Sequence, residues 1–281
     1  MMSKALVLQS DFGISDGAVS AMYGVAYSVS PLIRIFDLTH DIPPYNIWEA
    51  SYRLLQTVSY WPEGTVFVSV VDPGVGSVRK SVVAKTIDHK YIITPDNGTL
   101  THLQEILGIV EVRQLDETIN RLPRSGHSYT FHGRDIYAYT GARLAAGVIQ
   151  FDEVGPPMEL RDIVNLPLTH PEQKAGTVKG VVEILDVRFG NLWTNIPRYL
   201  FEEAGIHYGD RLHVTIGQPN HQVYNNTMIF GRSFAATSIN EPIVYINSLD
   251  NGAIAINQGS FSQAYRVGTG SNWSVTLKKV Q

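Results

Sequence analysis

Two hydrophobic periods alternate along the first half of the chain. Residues 5–9 form a short apolar run that ends at Ser10-Asp11-Phe12-Gly13. Ala18, Met22, Val25, Ala26 and Val29 then recur at helical spacing. This predicts a helix over 16–30, with Ser15 or Asp16 as its N-cap and Pro31 as its stop. Residues 33–38 read as the next strand. Ile47, Leu54, Leu55 and Val58 predict a helix over 46–60, closed by Pro62-Glu63-Gly64. A β-branched run over 65–71 leads into Asp72-Pro73-Gly74, and strands at 81–87 and 91–94 flank Asp88-His89-Lys90. A short helix is expected from Thr99, and another over 134–149 from Ile136, Leu144 and Val148.

This alternation predicts an α/β layer with a mostly parallel sheet between helices. Ligands of such sheets sit at the carboxyl ends of the strands. Asp11 and Asp72 each follow directly after an apolar run, so both carboxylates are expected at that rim. The pattern changes near Pro156-Pro157. Residues 164–176 carry two prolines and little periodicity and read as a linker. Beyond it, strand candidates at 177–187, 211–216, 242–246, 253–257 and 272–278 are separated by Gly, Asn and Asp, with helical signal only near 197–204. The expected organisation is an N-terminal α/β domain over 1–163, the linker 164–176, and a C-terminal all-β domain over 177–281, a barrel or a sandwich.

The length of 281 residues agrees with two domains of ~100–200 residues each. Composition narrows the chemistry. Lys+Arg 22 against Asp+Glu 26 gives a net charge of −4, without the basic stripe of a nucleic-acid binder. Cysteine is absent, which removes disulfides, thiolate nucleophiles, iron–sulfur clusters and Cys-based zinc sites. No stretch approaches the ~20 apolar residues that span a bilayer. The opening residues, Met1 to Asp11, lack a signal-peptide pattern. A cytoplasmic protein is therefore expected, and the N-x-S/T sequons at Asn97, Asn226 and Asn272 are read as chance.

Common nucleotide signatures are missing. Gly74-Val75-Gly76 lacks a third glycine, no phosphate-binding loop motif occurs, and Asp11-Phe12-Gly13 has no kinase catalytic loop upstream. No close His pair argues for zinc. Four stretches remain. Asp72-Pro73-Gly74-Val75-Gly76-Ser77-Val78-Arg79 ends a strand on an acid, bends, and returns a cation seven residues later. It can pair carboxylate with guanidinium for a purpose, or be a Pro-Gly turn with an incidental ion pair. Tyr129-Thr130-Phe131-His132-Gly133-Arg134-Asp135 places a histidine just before a helix, either a tuned base or an ordinary loop histidine. Asp186 with Phe189-Gly190-Asn191-Leu192-Trp193-Thr194-Asn195 can clamp a polar aromatic ligand or form a packed turn. Asn247-Ser248 and Asn257-Gln258-Gly259-Ser260 can bind a ligand or cap backbone groups.

Taken in order, Ser10-Asp11-Phe12-Gly13, Asp72-Pro73-Gly74-Val75-Gly76 with Arg79, Pro95-Asp96-Asn97-Gly98, Phe131-His132-Gly133-Arg134-Asp135, Asp186 with Phe189 to Asn195, and Asn257-Gln258-Gly259 resemble the S-adenosylmethionine hydroxide adenosyltransferases, relatives of fluorinase and chlorinase. The blocks span nearly the whole chain. The resemblance implies an α/β domain followed by a β-barrel, and a homotrimer with S-adenosylmethionine held between one subunit's N-terminal domain and the next subunit's C-terminal domain. It puts the catalytic set on Asp72, Arg79 and His132, and the ribose contact on Asp11. It assigns the methionine and adenine ends to Asp186, Asn191, Trp193 and Ser248, with Phe234 and Tyr45 as aromatic neighbours. S-adenosylmethionine is the substrate, and no cofactor, metal, nucleic acid or membrane partner is implied.

Fluorinase-type members carry Tyr and Thr at the positions of Asp72 and Val75, and Tyr and Ser at those of His132 and Gly133. This chain departs at all four, which favours water over halide. The sulfonium already makes methionine a good leaving group, so the difficulty lies in the nucleophile. The expected mechanism has Asp72 and His132 as a proton relay and Arg79 as an electrostatic anchor for developing hydroxide. The competing readings are a halide-using synthase of 5′-halo-5′-deoxyadenosine, a non-catalytic sensor of S-adenosylmethionine or adenosine, and an unrelated α/β hydrolase domain with carboxylate chemistry, which leaves the Asn-Leu-Trp and Asn-Gln-Gly blocks unexplained.

Overall fold

Residues 5–280 are described by a computed structural model; Met1–Lys4, where the N-terminal reading begins, and Gln281 lie outside the described residues. The chain divides between Leu166 and Pro167 into two units.

In the first unit, alternation within the apolar runs decides which side chain goes to which face. Strands β1 (Ala5–Ser10), β2 (Arg34–Thr39), β3 (Val66–Val70), β4 (Ser81–Thr86), β5 (Tyr91–Pro95), β6 (Ile109–Gln114) and β7 (Pro157–Met158) form one sheet in the order β2-β1-β3-β5-β4-β6-β7. Leu6, Leu8, Val66, Val68 and Ile93 join one buried cluster with Met22 and Ala26 of helix α1 (Ala18–Val29) and Ala142 and Ala145 of α3 (Tyr139–Ala146). Val7, Phe67, Val82 and Ile92 point the other way, toward Leu54 and Val58 of α2 (Ile47–Val58) and Leu103. Burial on both faces is why these strands read as nearly continuous apolar runs.

The sheet is mixed. β2, β1, β3 and β5 run parallel, whereas β4, β6 and β7 are antiparallel additions. The parallel half ends its strands at Ser10-Asp11 and Val71-Asp72, so both acids stand on the same rim. Helix α1 starts later than its sequence suggests. Gly17 is the N-cap and contributes no side-chain bond, while Asp16 Oδ1 accepts from the Ala18 N–H at 2.9 Å. Asn46 caps α2 by accepting from the Glu49 N–H at 3.0 Å. The helix expected over 134–149 opens as a π-helical turn, Gly133–Ala138, before α3.

In the second unit, β8 (Glu172–Lys174) pairs beside β9 (Thr177–Leu185). The rest are β10 (Leu192–Pro197), β11 (Arg211–Gln218), β12 (His221–Phe230), β13 (Pro242–Ile246), β14 (Asn251–Ile256) and β15 (Ser274–Lys279), with short helices α4 (Arg198–Glu203) and α5 (Phe261–Tyr265). Their order is β10-β14-β13-β12-β11-β15-β9, and β9 pairs again with β10. That last pairing closes a seven-stranded barrel and removes the free edges an open sandwich sheet would expose. Val182, Leu192, Val214, Met228, Val244, Ile254 and Leu277 fill its interior. β10 falls where the sequence suggested a ligand loop, and β12 was not expected. β12 is polar at most alternate positions, and its inward residues Tyr224, Met228 and Phe230 are spaced too widely to stand out.

Candidate active site

The strand ends of the first unit build a cleft of about 330 Å³ lined by Asp11, Tyr45, Asp72, Val75, Phe131 and His132, among others. Asp72 leaves β3 at the Pro-Gly bend, and Arg79 returns just before β4. The guanidinium meets the carboxylate side-on: Nε lies 3.0 Å from both Asp72 oxygens and Nη2 donates to Oδ2. The Asp72 and Arg79 side chains are only 5% and 10% exposed. This pair is therefore desolvated, unlike an incidental surface bridge, and its geometry is the bidentate one that Arg favours.

Arg79 has further partners. Nη2 lies 3.0 Å from His132 Nδ1, and Nη1 lies 2.9 Å from Ser81 Oγ and 3.5 Å from Glu117 Oε1. A guanidinium has five N–H donors. One faces Asp72 from Nε, two leave Nη2 for Asp72 and His132, and two leave Nη1 for Ser81 and Glu117, so every donor is committed. Burial disfavours the charge, but the hydrogen bond to Asp72 and the neighbouring negative groups outweigh it, so Arg79 holds its proton more tightly than usual. Behind it, Tyr137 is fully buried, and burial keeps its phenol protonated. Ser81 Oγ lies 2.7 Å from Glu117 Oε1 and 2.8 Å from the Tyr137 hydroxyl. A carboxylate can only accept, so the chain runs from Tyr137 to Ser81 to Glu117.

His132 is 4% exposed and precedes the π-helical turn. Burial pushes its pKa below the usual histidine value; Glu117 opposes this, Arg79 and Arg121 reinforce it, and Asp72 opposes it. Because Arg79 can only donate, the lone pair of the neutral ring is on Nδ1 and the proton on Nε2. Gly133 follows for a steric reason. A Cβ there would come within 2.8 Å of the Phe12 ring, so a serine at this position has no room unless Phe12 moves.

Asp11 lines the same cleft. Its Oδ2 accepts from the Tyr45 N–H at 2.9 Å, and Tyr45 is itself in the left-handed region (φ 67°) with its ring exposed. A non-glycine residue there stores strain, a feature common at functional loops. Beneath Asp11 runs a chain the sequence did not suggest. Ser10 Oγ lies 2.7 Å from His40 Nδ1, His40 Nε2 lies 3.0 Å from Asp37 Oδ1, and the Tyr23 hydroxyl donates to Asp37 at 2.6 Å. Ser10 is sealed from solvent, so this Ser–His–Asp set is no nucleophile. With the Gly13 N–H donating to the His40 carbonyl at 2.8 Å, it brackets the Asp11 loop from both sides.

The second unit has its own cleft, of about 730 Å³, lined by Asp186, Phe189, Asn191, Phe234, Tyr245 and Asn257, among others. Asp186 accepts from the Arg188 and Phe189 N–H groups at 3.2 and 3.4 Å, which folds the loop back toward Asn191. Gly190 turns it with φ +66°, and a Cβ there would sit 1.9 Å from Ser260 Oγ, so only glycine fits. The Phe234 and Tyr245 rings pack at 5.1 Å with a tilt of 49°, and Asn257 Nδ2 donates to the Phe234 and Thr237 carbonyls at 3.1 and 3.0 Å. Flat aromatic walls with amides between them suit a planar heteroaromatic ligand. Trp193 stands on β10 beside Tyr245 and Ser248 lies on the exposed β13–β14 turn, and neither is among the residues that line this cleft.

A model of the SAM hydroxide adenosyltransferase N-terminal domain matches residues 6–155, and one of the C-terminal domain matches 180–274. The chain belongs to the SAM hydroxide adenosyltransferase family. It is similar to an (R)-S-adenosyl-L-methionine hydrolase of Methanocaldococcus jannaschii, 36% identical over 219 residues that cover 76% of this chain and 74% of the relative. It is also similar to a fluorinase of Actinoplanes sp., 30% identical over 96% of this chain and 97% of that one. The crystal structure of an uncharacterized conserved protein from Thermotoga maritima superposes with a TM-score of 0.87 at 31% identity, covering 97% and 99% of the two chains. Family membership accounts for the two-unit architecture. Because the family's relatives include both hydrolases and fluorinases, the polarity of the first cleft has to separate the two chemistries.

Proposed function

We propose that this chain hydrolyses S-adenosyl-L-methionine at C5′, giving adenosine and L-methionine. A water lone pair forms the C5′–O bond and the C5′–S pair passes to sulfur. One water proton remains on the 5′-hydroxyl and the other leaves. The sulfonium departs as a neutral thioether and needs no acid, so the protein's task is to orient and deprotonate water.

One observation carries the choice of water over halide. All five donors of Arg79 are committed to protein acceptors, and it is its partner Asp72, a carboxylate, that lines the cleft. A halide only accepts hydrogen bonds and meets repulsion there. Water has protons to give, and Asp72 has oxygens to take them. Gly133, closed off by the Phe12 ring, offers no hydroxyl for a halide either.

In this reading Asp72 is the immediate proton acceptor. His132 stays neutral, its Nδ1 lone pair held by Arg79, and completes the wall against which the water rests. Arg79 fixes both groups and supplies positive potential without donating directly to the nucleophile, a narrower role than binding hydroxide itself. Asp11 receives the ribose hydroxyls. Asn191, Phe234 and Trp193 receive the adenine, and Asp186 and Ser248 the methionine, with Tyr45 flanking the nucleoside. The family resemblance further supports a homotrimer in which clefts of neighbouring subunits combine on one substrate, and the cysteine-free composition supports a cytoplasmic setting.

The test is incubation with each sulfonium epimer of S-adenosyl-L-methionine in 18O-water containing chloride or fluoride. Adenosine labelled at the 5′ oxygen is expected from at least one epimer. A 5′-halo product would assign the chain to halide chemistry, and tight binding without turnover would make it a sensor.

A further inference from the structure

A carboxylate outside the expected catalytic set stands at the centre of the same network. Glu117 lies just beyond β6. Its Oε1 accepts from Ser81 Oγ at 2.7 Å and faces Arg79 Nη1 at 3.5 Å, while Oε2 faces Arg121 Nη2 at 3.7 Å. Arg121 in turn brings Nη2 to 3.5 Å from His132 Nε2, and Arg79 brings its Nη2 to 3.0 Å from Nδ1. The imidazole therefore sits between two guanidinium groups, and Glu117 touches both of them.

We propose that Glu117 is a positioning residue for the reaction: by bridging Arg79 and Arg121 it holds the two cations on opposite edges of His132 and fixes the ring in the tautomer that Arg79 requires. The proposal rests on the hydrolytic reading of this cleft and adds to it a residue that this reading does not contain.

A neutral imidazole has one accepting nitrogen and one donating nitrogen. Arg79 needs Nδ1 to accept, which leaves the proton on Nε2, pointing at a second donor on Arg121. Left unpaired, Arg121 would compete for an Nε2 lone pair and favour the opposite tautomer. Nδ1–H would then oppose Arg79 and loosen its grip on the ring. A carboxylate placed beside both guanidiniums weakens that competition by drawing the Arg121 charge toward an ionic partner 3.7 Å away. Glu117 is placed for it. Its side chain is 31% exposed, so the charge stays partly hydrated while both contacts are kept.

The groups facing it are Arg79 and the Ser81 hydroxyl from the β4 side, Arg121 from its own segment, and Tyr137 from the π-helical turn, with His132 and Asp72 beyond. Glu117 is also the foremost influence opposing the downward push of burial on the His132 pKa.

The experiment uses the full chain with Glu117→Gln and Glu117→Asp. Glutamine keeps the shape and the acceptor for Ser81 but lacks the charge. In E117Q the His132 imidazole, followed by NMR titration, is expected to titrate at least about half a pH unit lower than in the wild type. Its kcat should fall about tenfold with KM changed less than about threefold, as expected when a group outside substrate contact disturbs the reacting set. E117D should recover most of both. Adding Arg121→Gln to E117Q should bring the His132 titration back up, because the unbalanced cation is gone. A His132 titration that does not fall in E117Q, or a kcat within twofold of wild type, overturns the proposal. So does a double variant with no recovery. Failure of the wild type to release labelled adenosine sinks the hydrolytic reading instead, and the NMR arm still decides whether Glu117 governs the ring.

Discussion

The two clefts of this chain are built on opposite physical plans. The first is small, and its key side chains are sealed into a network in which each donor has an acceptor: Asp72, Arg79, His132, Ser81, Glu117 and Tyr137 hold one another. The second is about twice as large and walled by aromatic rings and amides on turns, with Phe189 67% exposed. Under the proposed function, the difference separates two tasks. Chemistry on water needs charges fixed in low dielectric, where a misplaced group costs most. Recognition of a flat ring needs area and a few polar edges, and tolerates looser support. Substitutions in the first cleft should therefore act on turnover, and those in the second on affinity or folding.

The largest expected effect is in the first cleft. Asp72→Asn removes the proposed proton acceptor and leaves the buried Arg79 charge short of its main partner. kcat should fall by about 10²–10³ or more with KM changed only severalfold, measured as adenosine release. A KM effect without a kcat effect would dissolve the division between the clefts. Next is Gly190→Ala, which tests the scaffold of the second cleft. A Cβ forced against Ser260 at positive φ should lower stability by about 2–3 kcal/mol in urea unfolding. An unchanged midpoint would mean the loop relaxes freely. Phe234→Ala comes third. Losing one aromatic wall should raise KM about tenfold with kcat within about threefold.

The smallest and most diagnostic effect is in pH. His132 must stay neutral for Nδ1 to accept from Arg79, and burial lowers its pKa. Activity should thus persist below histidine's ordinary ~6.5 and fall only as pH drops further through the depressed value. The neutral ring dominates above that value and the charged ring below it, so the loss lies on the acid side. A limb at or above 6.5 would assign the titration to another group.

Much of this was legible from residues alone, for local reasons. The acid after each apolar run marked the strand ends, because strand period and turn chemistry are written within a few neighbours. Asp72 and Arg79 could be paired across a Pro-Gly bend because seven residues of loop close easily. His132 was visible as the residue opening a helix, although not the π-helical start that follows it. The misses were of another kind. β12 hides its core face behind polar alternation, and β10 was masked by the ligand-like look of its own residues. Glu117 has no motif and meets Arg79 across 38 positions, and Tyr137 meets Ser81 across 56. Tyr137 alone had a weak signal, five residues after His132 and within the same helical turn.

The sequence by itself determined the alternation of elements, the change of character after Pro156-Pro157, the absence of thiol chemistry and a short set of candidate residues for the proposed chemistry on water. Tertiary structure alone decided that the barrel closes through β9 and β10, that Ser10, His40 and Asp37 form a brace whose serine is buried and so no nucleophile, and that every donor of Arg79 is already taken. The reason lies in range. Hydrophobic period and turn propensity are set by adjacent residues, whereas hydrogen-bond saturation and tautomer choice depend on which distant side chains fold into the same few ångströms.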